Sequence, residues 1–161
     1  MKRHPGLQAL SQHHHFALIQ ALLMRRATQA PVARRAAALR QVAQTFLHFW
    51  KKTGQQHFRE EEEVLLPAYA RHAPLDQDPA AMRVLAEHAQ IRAHIQQLET
   101  SLEAGSIGEE EVAALARTLH DHIRLEENEL FPRIEAALGE AELLSLGKRL
   151  TRLHRKKSSA T

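Results

Sequence analysis

The chain has 161 residues and a formal net charge of +3, and it combines 12 histidines with no cysteine. The length is typical of one domain with its own hydrophobic core. The absence of cysteine excludes disulfides, thiolate zinc sites, iron–sulfur clusters and cysteine nucleophiles. Any metal that this chain binds must therefore be held by nitrogen and oxygen atoms.

Residues that favour helices dominate the chain, while proline and glycine fall mostly between the segments of regular hydrophobic spacing. The predicted helices cover residues 7–28, 32–72, 79–103, 109–138 and 140–156. Pro31 separates the first two, and the second has an expected interruption near Gly54 and an expected kink near Pro67. Asp78 is the expected N-cap of the third.

Three short connections join the four long helices, and short connections make consecutive helices antiparallel neighbours. The sequence therefore predicts an all-α fold, an up-down-up-down four-helix bundle with an additional short C-terminal helix. We expect residues 1–6 to form an N-terminal tail, 7–138 the bundle, and 139–161 a C-terminal helix and basic tail. No apolar stretch reaches the length of a membrane span, so we expect a cytoplasmic location and no membrane partner.

Each long helix carries an apolar stripe with steps of three and four residues, and one histidine interrupts each stripe. In the second and fourth helices a glutamate follows that histidine one turn later, on the same face. A buried carboxylate without a partner is unfavourable, and a cation shared by these groups would neutralise it. The predicted metal ligands are His14, His57, Glu61, His88, His122 and Glu126. His13 and His15 flank His14 and are the alternatives to it, although the stripe favours His14.

The two histidine–glutamate pairs lie in an internal repeat. The eleven residues 57–67 align without gaps with residues 122–132, and six positions are identical. The second and fourth helices thus carry equivalent half-sites. Two such pairs, together with one histidine from each of the other helices, suit two metal ions bridged by carboxylates better than a single ion.

These segments resemble the hemerythrin-like, or HHE cation-binding, domain family over residues 7–138. The resemblance rests on the run from His57 through Glu61 to Pro67, on residues 87–92 around the third-helix histidine, and on residues 122–132. These runs match the family in order and spacing.

The resemblance implies a non-haem di-iron centre of two Fe ions, which an oxo or hydroxo group can also bridge. Imidazole and carboxylate ligands without thiolate suit Fe, Mn or Zn, and the family resemblance favours iron. By the resemblance, the terminal imidazole ligands are His14, His57, His88 and His122, and the bridging carboxylates are Glu61 and Glu126.

The chain departs from the oxygen-carrying hemerythrins at two ligand positions. Those proteins have a second histidine one turn after the third-helix ligand, where this chain has Arg92, and an aspartate in place of Glu126. With one imidazole fewer, a metal could keep a water or an open position. The departure disfavours simple reversible oxygen carriage and favours sensing, redox chemistry or iron handling.

Two classes of function fit these features. The favoured class is a binding or sensing domain for O₂, NO, redox state or iron state. The alternative is a di-iron enzyme that acts on peroxide or nitric oxide, in detoxification or repair. The sequence identifies no catalytic base, nucleophile or substrate pocket, so enzymatic turnover stays open. A helical interaction module without metal is a third hypothesis, and nucleic acid is a disfavoured partner because no stacking aromatics accompany the basic tail.

Several side chains near the predicted centre have a less specific interpretation. The aromatic candidates for the wall of a ligand pocket are Phe16, Phe46, Phe49, Trp50 and Phe58, and ordinary core packing is the simpler interpretation of each. Further acidic residues are expected on solvated faces, with a few bonded to ligand imidazoles: Glu60, Glu62, Glu63, Glu127 and Glu129. The remaining histidines, including His13 and His120, are expected mostly at the surface.

Overall fold

The computed structural model describes residues 3–158, and within this range the chain is helical with no strand. The predicted all-α class is confirmed. Five helices, α1 to α5, span Gln8–Thr28, 32–70, Pro79–Ala104, 109–137 and Glu140–Ser158. The outermost residues of the two expected tail segments, 1–2 and 159–161, lie outside the described residues. No helix in the described part of the chain is long and apolar enough to cross a membrane.

Helices α2 and α4 are continuous but contain wider π-helical turns. In α2 these turns are Trp50–Gly54 and Glu61–Leu65, and in α4 the turn is Glu126–Leu130. The helix is not interrupted near Gly54 as expected, but π turns lie there and just before Pro67, where a kink was expected. A proline inside a helix lacks the amide hydrogen and crowds the carbonyl of the preceding turn. The extra residue of a π turn absorbs this conflict, and such turns are frequent at functional sites.

Two apolar clusters fill the space between the helices. The first includes Met24, Phe46 and Leu98, and the second includes Leu65 and Phe131. Helix α1 packs against α2 and α4, and α3 also packs against α2 and α4. The four stripe histidines fall in the chain between residues of the two clusters, so a polar layer divides the hydrophobic core.

Helix α5 packs against the 3₁₀ turn Pro5–Leu7 and against the part of α2 that carries the histidine–glutamate pair. Two glycines allow the 3₁₀ turn and α5 to approach closely, because a Cβ atom on Gly147 would lie 2.9 Å from Cα of Gly6. The loop that precedes α3 contains the N-cap of that helix. There the Asp78 carboxylate accepts hydrogen bonds from the first amides of the helix, which confirms the expected N-cap.

Candidate metal centre

The six side chains predicted to bind metal come together inside the protein. Helix α1 contributes His14, α2 contributes His57 and Glu61, α3 contributes His88, and α4 contributes His122 and Glu126. All six are buried, and Glu126 has no exposed surface at all. His15, one alternative to His14, is exposed, while His13 lies at the edge of the cluster.

The Nε2 atoms of the imidazoles surround the two carboxylates. On one side, Nε2 of His14 lies 3.0 Å from Oε2 of Glu126, and Nε2 of His57 lies 3.2 Å from Oε1 of Glu61. These four residues form one group whose ligand atoms all lie within 4.8 Å of one another.

The second group uses the same two carboxylates from the other side. Nε2 of His88 lies 3.2 Å from Oε2 of Glu61, and Nε2 of His122 lies 3.3 Å from Oε2 of Glu126. Both groups of four therefore contain Glu61 and Glu126, and each adds its own pair of imidazoles. The two groups therefore overlap at the two carboxylates.

None of the atoms that face the middle of the cluster has a hydrogen-bond partner. This holds for all four Nε2 atoms and for both oxygens of each carboxylate, although every one of these atoms is buried. Buried polar atoms in folded proteins are nearly always hydrogen-bonded, so a group of eight without partners requires an explanation. A cation that accepts all of these lone pairs supplies one.

The opposite nitrogen of three of the four imidazoles contacts a carboxylate. Nδ1 of His14 lies 2.6 Å from Glu127, Nδ1 of His88 lies 2.8 Å from Glu62, and Nδ1 of His122 lies 3.2 Å from Glu87. A carboxylate accepts a hydrogen bond, so Nδ1–H donates and the Nε2 lone pair is free to bind metal. These tautomers are assigned from the hydrogen-bond partners.

His57 differs from the other three because its Nδ1 faces a histidine. Nδ1 of His13 lies 3.3 Å away. Burial is the main reason that the pKa of His13 is lowered to about 4, and the neighbouring His57 adds to the shift. His13 is therefore neutral at physiological pH and can accept the hydrogen bond. Sequence analysis assigned His13 to the surface, but its ring is largely covered by His57 and His154.

The metal-free cluster is held together by charge. Burial alone would lower the pKa of His14, but contacts with Glu126 and two other glutamates raise it well above its usual value. Burial would also lower the pKa of His88, but contacts with Glu61 and Glu62 outweigh it and raise this pKa to about 9. Burial would raise the pKa of Glu61, and the nearby His57 and other imidazoles lower it well below its usual range. Without metal, these contacts favour the charged forms of His14, His88 and Glu61.

Arg92, one turn after His88 in α3, supports the cluster from outside. Its guanidinium donates to both oxygens of Glu62, at 2.7 and 3.0 Å, and Glu62 in turn holds His88. The guanidinium also lies over the ring of Phe58, 5.1 Å from its centre. The same ring stacks on His88 with a centroid distance of 3.7 Å, so Arg92 and Phe58 together fix the orientation of that imidazole.

A small apolar cavity of about 20 Å³ adjoins the centre. Its lining includes three of the predicted ligands and the side chains of Phe46, Phe49, Trp50 and Phe58. Four of the five aromatic candidates are therefore placed correctly. The fifth, Phe16, is wrong, because it points outward and is 53% exposed. A volume of this size holds one molecule about as large as water.

Sequence analysis missed several residues around the centre. It did not single out Glu87, although this residue directly precedes His88 in a segment that resembles the family. The expectation for Glu60 is wrong, because this side chain is 3% exposed rather than solvated. Glu62 and Glu127 do bond ligand imidazoles, as was allowed for a few of these acids, while Glu63 is exposed as expected.

A family model described as the hemerythrin HHE cation binding domain matches residues 6–134. The match spans most of the chain and includes the six clustered histidine and glutamate residues. No curated protein matches the chain significantly. Together with the buried cluster, the family match indicates a metal-binding site.

Proposed function

The chain belongs to the hemerythrin HHE cation-binding domain family, and on that premise we propose a non-haem di-iron protein that binds or senses O₂, NO, or redox or iron state. One observation carries the proposal. Four imidazole nitrogens and four carboxylate oxygens converge in a buried space without any hydrogen-bond partner. Two cations of the size and charge of iron would satisfy all of them.

The assignment of ligands follows the two groups of side chains. We assign His14 and His57 to one ion, His88 and His122 to the other, and the carboxylates of Glu61 and Glu126 to both. The donor set of imidazole and carboxylate suits iron, manganese or zinc, and membership of the family favours iron. Two half-sites related by the internal repeat favour two ions over one.

The arrangement of the helices gives this assignment a scaffold. We propose that α1 to α4 form an up-down-up-down bundle, because short connections join them and each packs against its two neighbours in a ring. Such a bundle places inward-facing side chains from all four helices around one axis. The cytoplasmic location stays a prediction.

Iron in this position supplies a redox-active Lewis acid that can bind a small ligand. The contribution of the protein is to hold the ligand imidazoles in one tautomer and to shape an apolar cavity beside them. The side chains of Phe46 and Phe49 line that cavity, and its size admits only a very small molecule.

The lining of the cavity favours binding over turnover. Apart from the predicted ligands, its only polar side chains among the described residues are His13 and Thr53. A peroxidase or a detoxifying enzyme would need a group placed to move protons to its substrate, and His13 is the one titratable lining residue outside the predicted ligands among the described residues. The enzyme acting on peroxide or nitric oxide therefore remains the second candidate.

The test begins with metal analysis of protein loaded anaerobically with ferrous iron. We expect about two irons per chain, and fewer than about one would overturn the proposed centre. The loaded protein is then mixed separately with O₂, NO and H₂O₂ while the visible absorption is followed. A stable adduct that reverses when the gas is removed supports binding, and repeated consumption of peroxide supports the enzyme.

A further inference from the structure

A second polar cluster lies beside the proposed di-iron centre and is centred on Glu60. The Glu60 carboxylate is 3% exposed, and its ion-pair contacts in the described part of the chain are to two histidines, without lysine or arginine. Nδ1 of His13 lies 3.6 Å from Oε2, and Nδ1 of His154 lies 3.3 Å from Oε1. A buried carboxylate without a permanent cationic partner is unfavourable.

The three side chains come from three different helices. His13 belongs to α1, Glu60 to α2 and His154 to α5. Each histidine contacts a different oxygen of the Glu60 carboxylate, at distances of 3.6 and 3.3 Å that resemble the 3.0–3.7 Å contacts of the inner cluster. The rings of His13 and His154 stack at a centroid distance of 5.9 Å, so both imidazoles approach the carboxylate from the same side.

An unsatisfied amide supplies an independent observation. Gln56 is buried, and its Nε2 donates to Oε1 of Glu60 at 3.3 Å. The other amide atom, Oε1 of Gln56, is buried and has no hydrogen-bond partner. The pocket around Glu60 thus holds a carboxylate with too little positive charge near it and an oxygen with a free lone pair. Both features are those of a site that lacks its cation.

We propose that His13, Glu60 and His154 form a separate site for one divalent transition-metal cation, with the amide oxygen of Gln56 as a further ligand. Two imidazoles and a carboxylate are typical ligands of Zn²⁺ and of Fe²⁺. His154 is half-exposed and forms the outer wall of the site, so a cation enters from solvent without passing through the core. None of these four residues belongs to the two groups that share Glu61 and Glu126, although His57 of the inner centre lies next to His13 and Glu60.

His13 couples the two sites. Its Nδ1 faces Nδ1 of His57 at 3.3 Å and also points towards Glu60. One lone pair cannot accept a hydrogen bond and bind a cation at the same time. Cation binding at the outer site therefore removes the hydrogen bond that orients His57, and it changes the environment of the inner centre.

Equilibrium dialysis against Zn²⁺, with zinc counted by elemental mass spectrometry, tests the proposal. We expect His154→Ala to bind one zinc per chain fewer than the unmodified protein. Glu60→Gln should show the same loss. The matched control is His72→Ala, because His72 also contacts a carboxylate, that of Glu142 at 2.7 Å, but on the surface. This control should bind as much zinc as the unmodified protein.

The His154→Ala substitution is repeated in a His122→Ala background to separate the two proposals. His122→Ala should lower the count at the inner centre, and the loss caused by His154→Ala should still be one zinc. If His154→Ala and Glu60→Gln retain the full count while remaining folded by circular dichroism, the outer site is refuted. If His122→Ala alone has no effect, the inner assignment fails while the outer site stands.

Discussion

The most direct test of the proposed centre is Glu126→Gln. The carboxylate of Glu126 lies 3.0 Å from Nε2 of His14 and 3.3 Å from Nε2 of His122, and neither of its oxygens has a hydrogen-bond partner. Glutamine has nearly the same volume, so the substitution leaves no cavity. It removes one negative charge and replaces an acceptor oxygen with an amide that cannot bridge two cations. Both ions should therefore be bound far more weakly.

The expected magnitude follows from linkage between binding and folding. A ligand present at 100 times its dissociation constant stabilises the folded state by about 2.7 kcal/mol. For a chain of this length each kcal/mol shifts the melting temperature by roughly 2–4 °C. Saturating ferrous iron should thus raise the melting temperature of the unmodified protein by roughly 5–10 °C, and it should raise that of Glu126→Gln by little.

The assay is a pair of anaerobic thermal melts at 222 nm, without and with ferrous iron, combined with iron analysis of the desalted protein. Glu129→Gln is the matched control, because Glu129 lies in the same π turn but is 54% exposed. The control should bind iron and gain stability as the unmodified protein does. If Glu126→Gln retains two irons and the full shift in melting temperature, the shared-carboxylate reasoning is wrong.

Three further predictions concern the surroundings of the centre. Glu62→Gln removes the charge that holds Nδ1 of His88, and it should weaken iron binding by about tenfold in a chelator competition; unchanged affinity would contradict this. Gly54→Ala would place a Cβ atom 2.3 Å from the Trp50 ring, so the indole must move. The substitution should lower the free energy of unfolding, measured with urea, by about 1–3 kcal/mol. It should also shift the fluorescence emission of Trp50, the only tryptophan, to longer wavelength. An unaltered spectrum would count against the packing argument. The pKa of His88 is raised from 6.5 to about 9, so its stabilisation of the metal-free fold is complete below pH 6.5 and is lost as the pH rises through 9. The metal-free protein should lose about 3 kcal/mol over this range, and a constant urea midpoint would refute it.

The helices and the clustering of the six histidine and glutamate side chains were predictable because both depend on local spacing. Apolar stripes mark the faces that become buried, and a histidine inside such a stripe must face the same way as its neighbours. The repeat around His57 and His122 then indicated equivalent half-sites. The N-cap at Asp78 and the π turn before Pro67 also follow from the chemistry of single residues.

The supporting residues were less predictable because their roles depend on contacts between helices. Glu60, Glu62 and Glu63 are consecutive or nearly so and look alike in sequence, yet the first is buried, the second supports His88 and the third is exposed. Which one turns inward depends on the packing of α3 and α5 against α2. For Phe16 the prediction failed in the other direction, because a residue expected to line the pocket is exposed. An aromatic residue close to a predicted ligand in sequence can still face solvent.

The π turns have a consequence for how ion binding can be observed. Two of the three begin at a glutamate that we assign to both ions. Each of these two is closed by a backbone hydrogen bond that spans five residues, from the amide of Leu66 to the carbonyl of Glu61 and from the amide of Phe131 to the carbonyl of Glu126. These two amides should exchange readily with deuterated water while the glutamate side chains are free to move. An ion that fixes both carboxylates would slow this exchange, so Leu66 and Phe131 should report occupancy even for a colourless metal such as zinc.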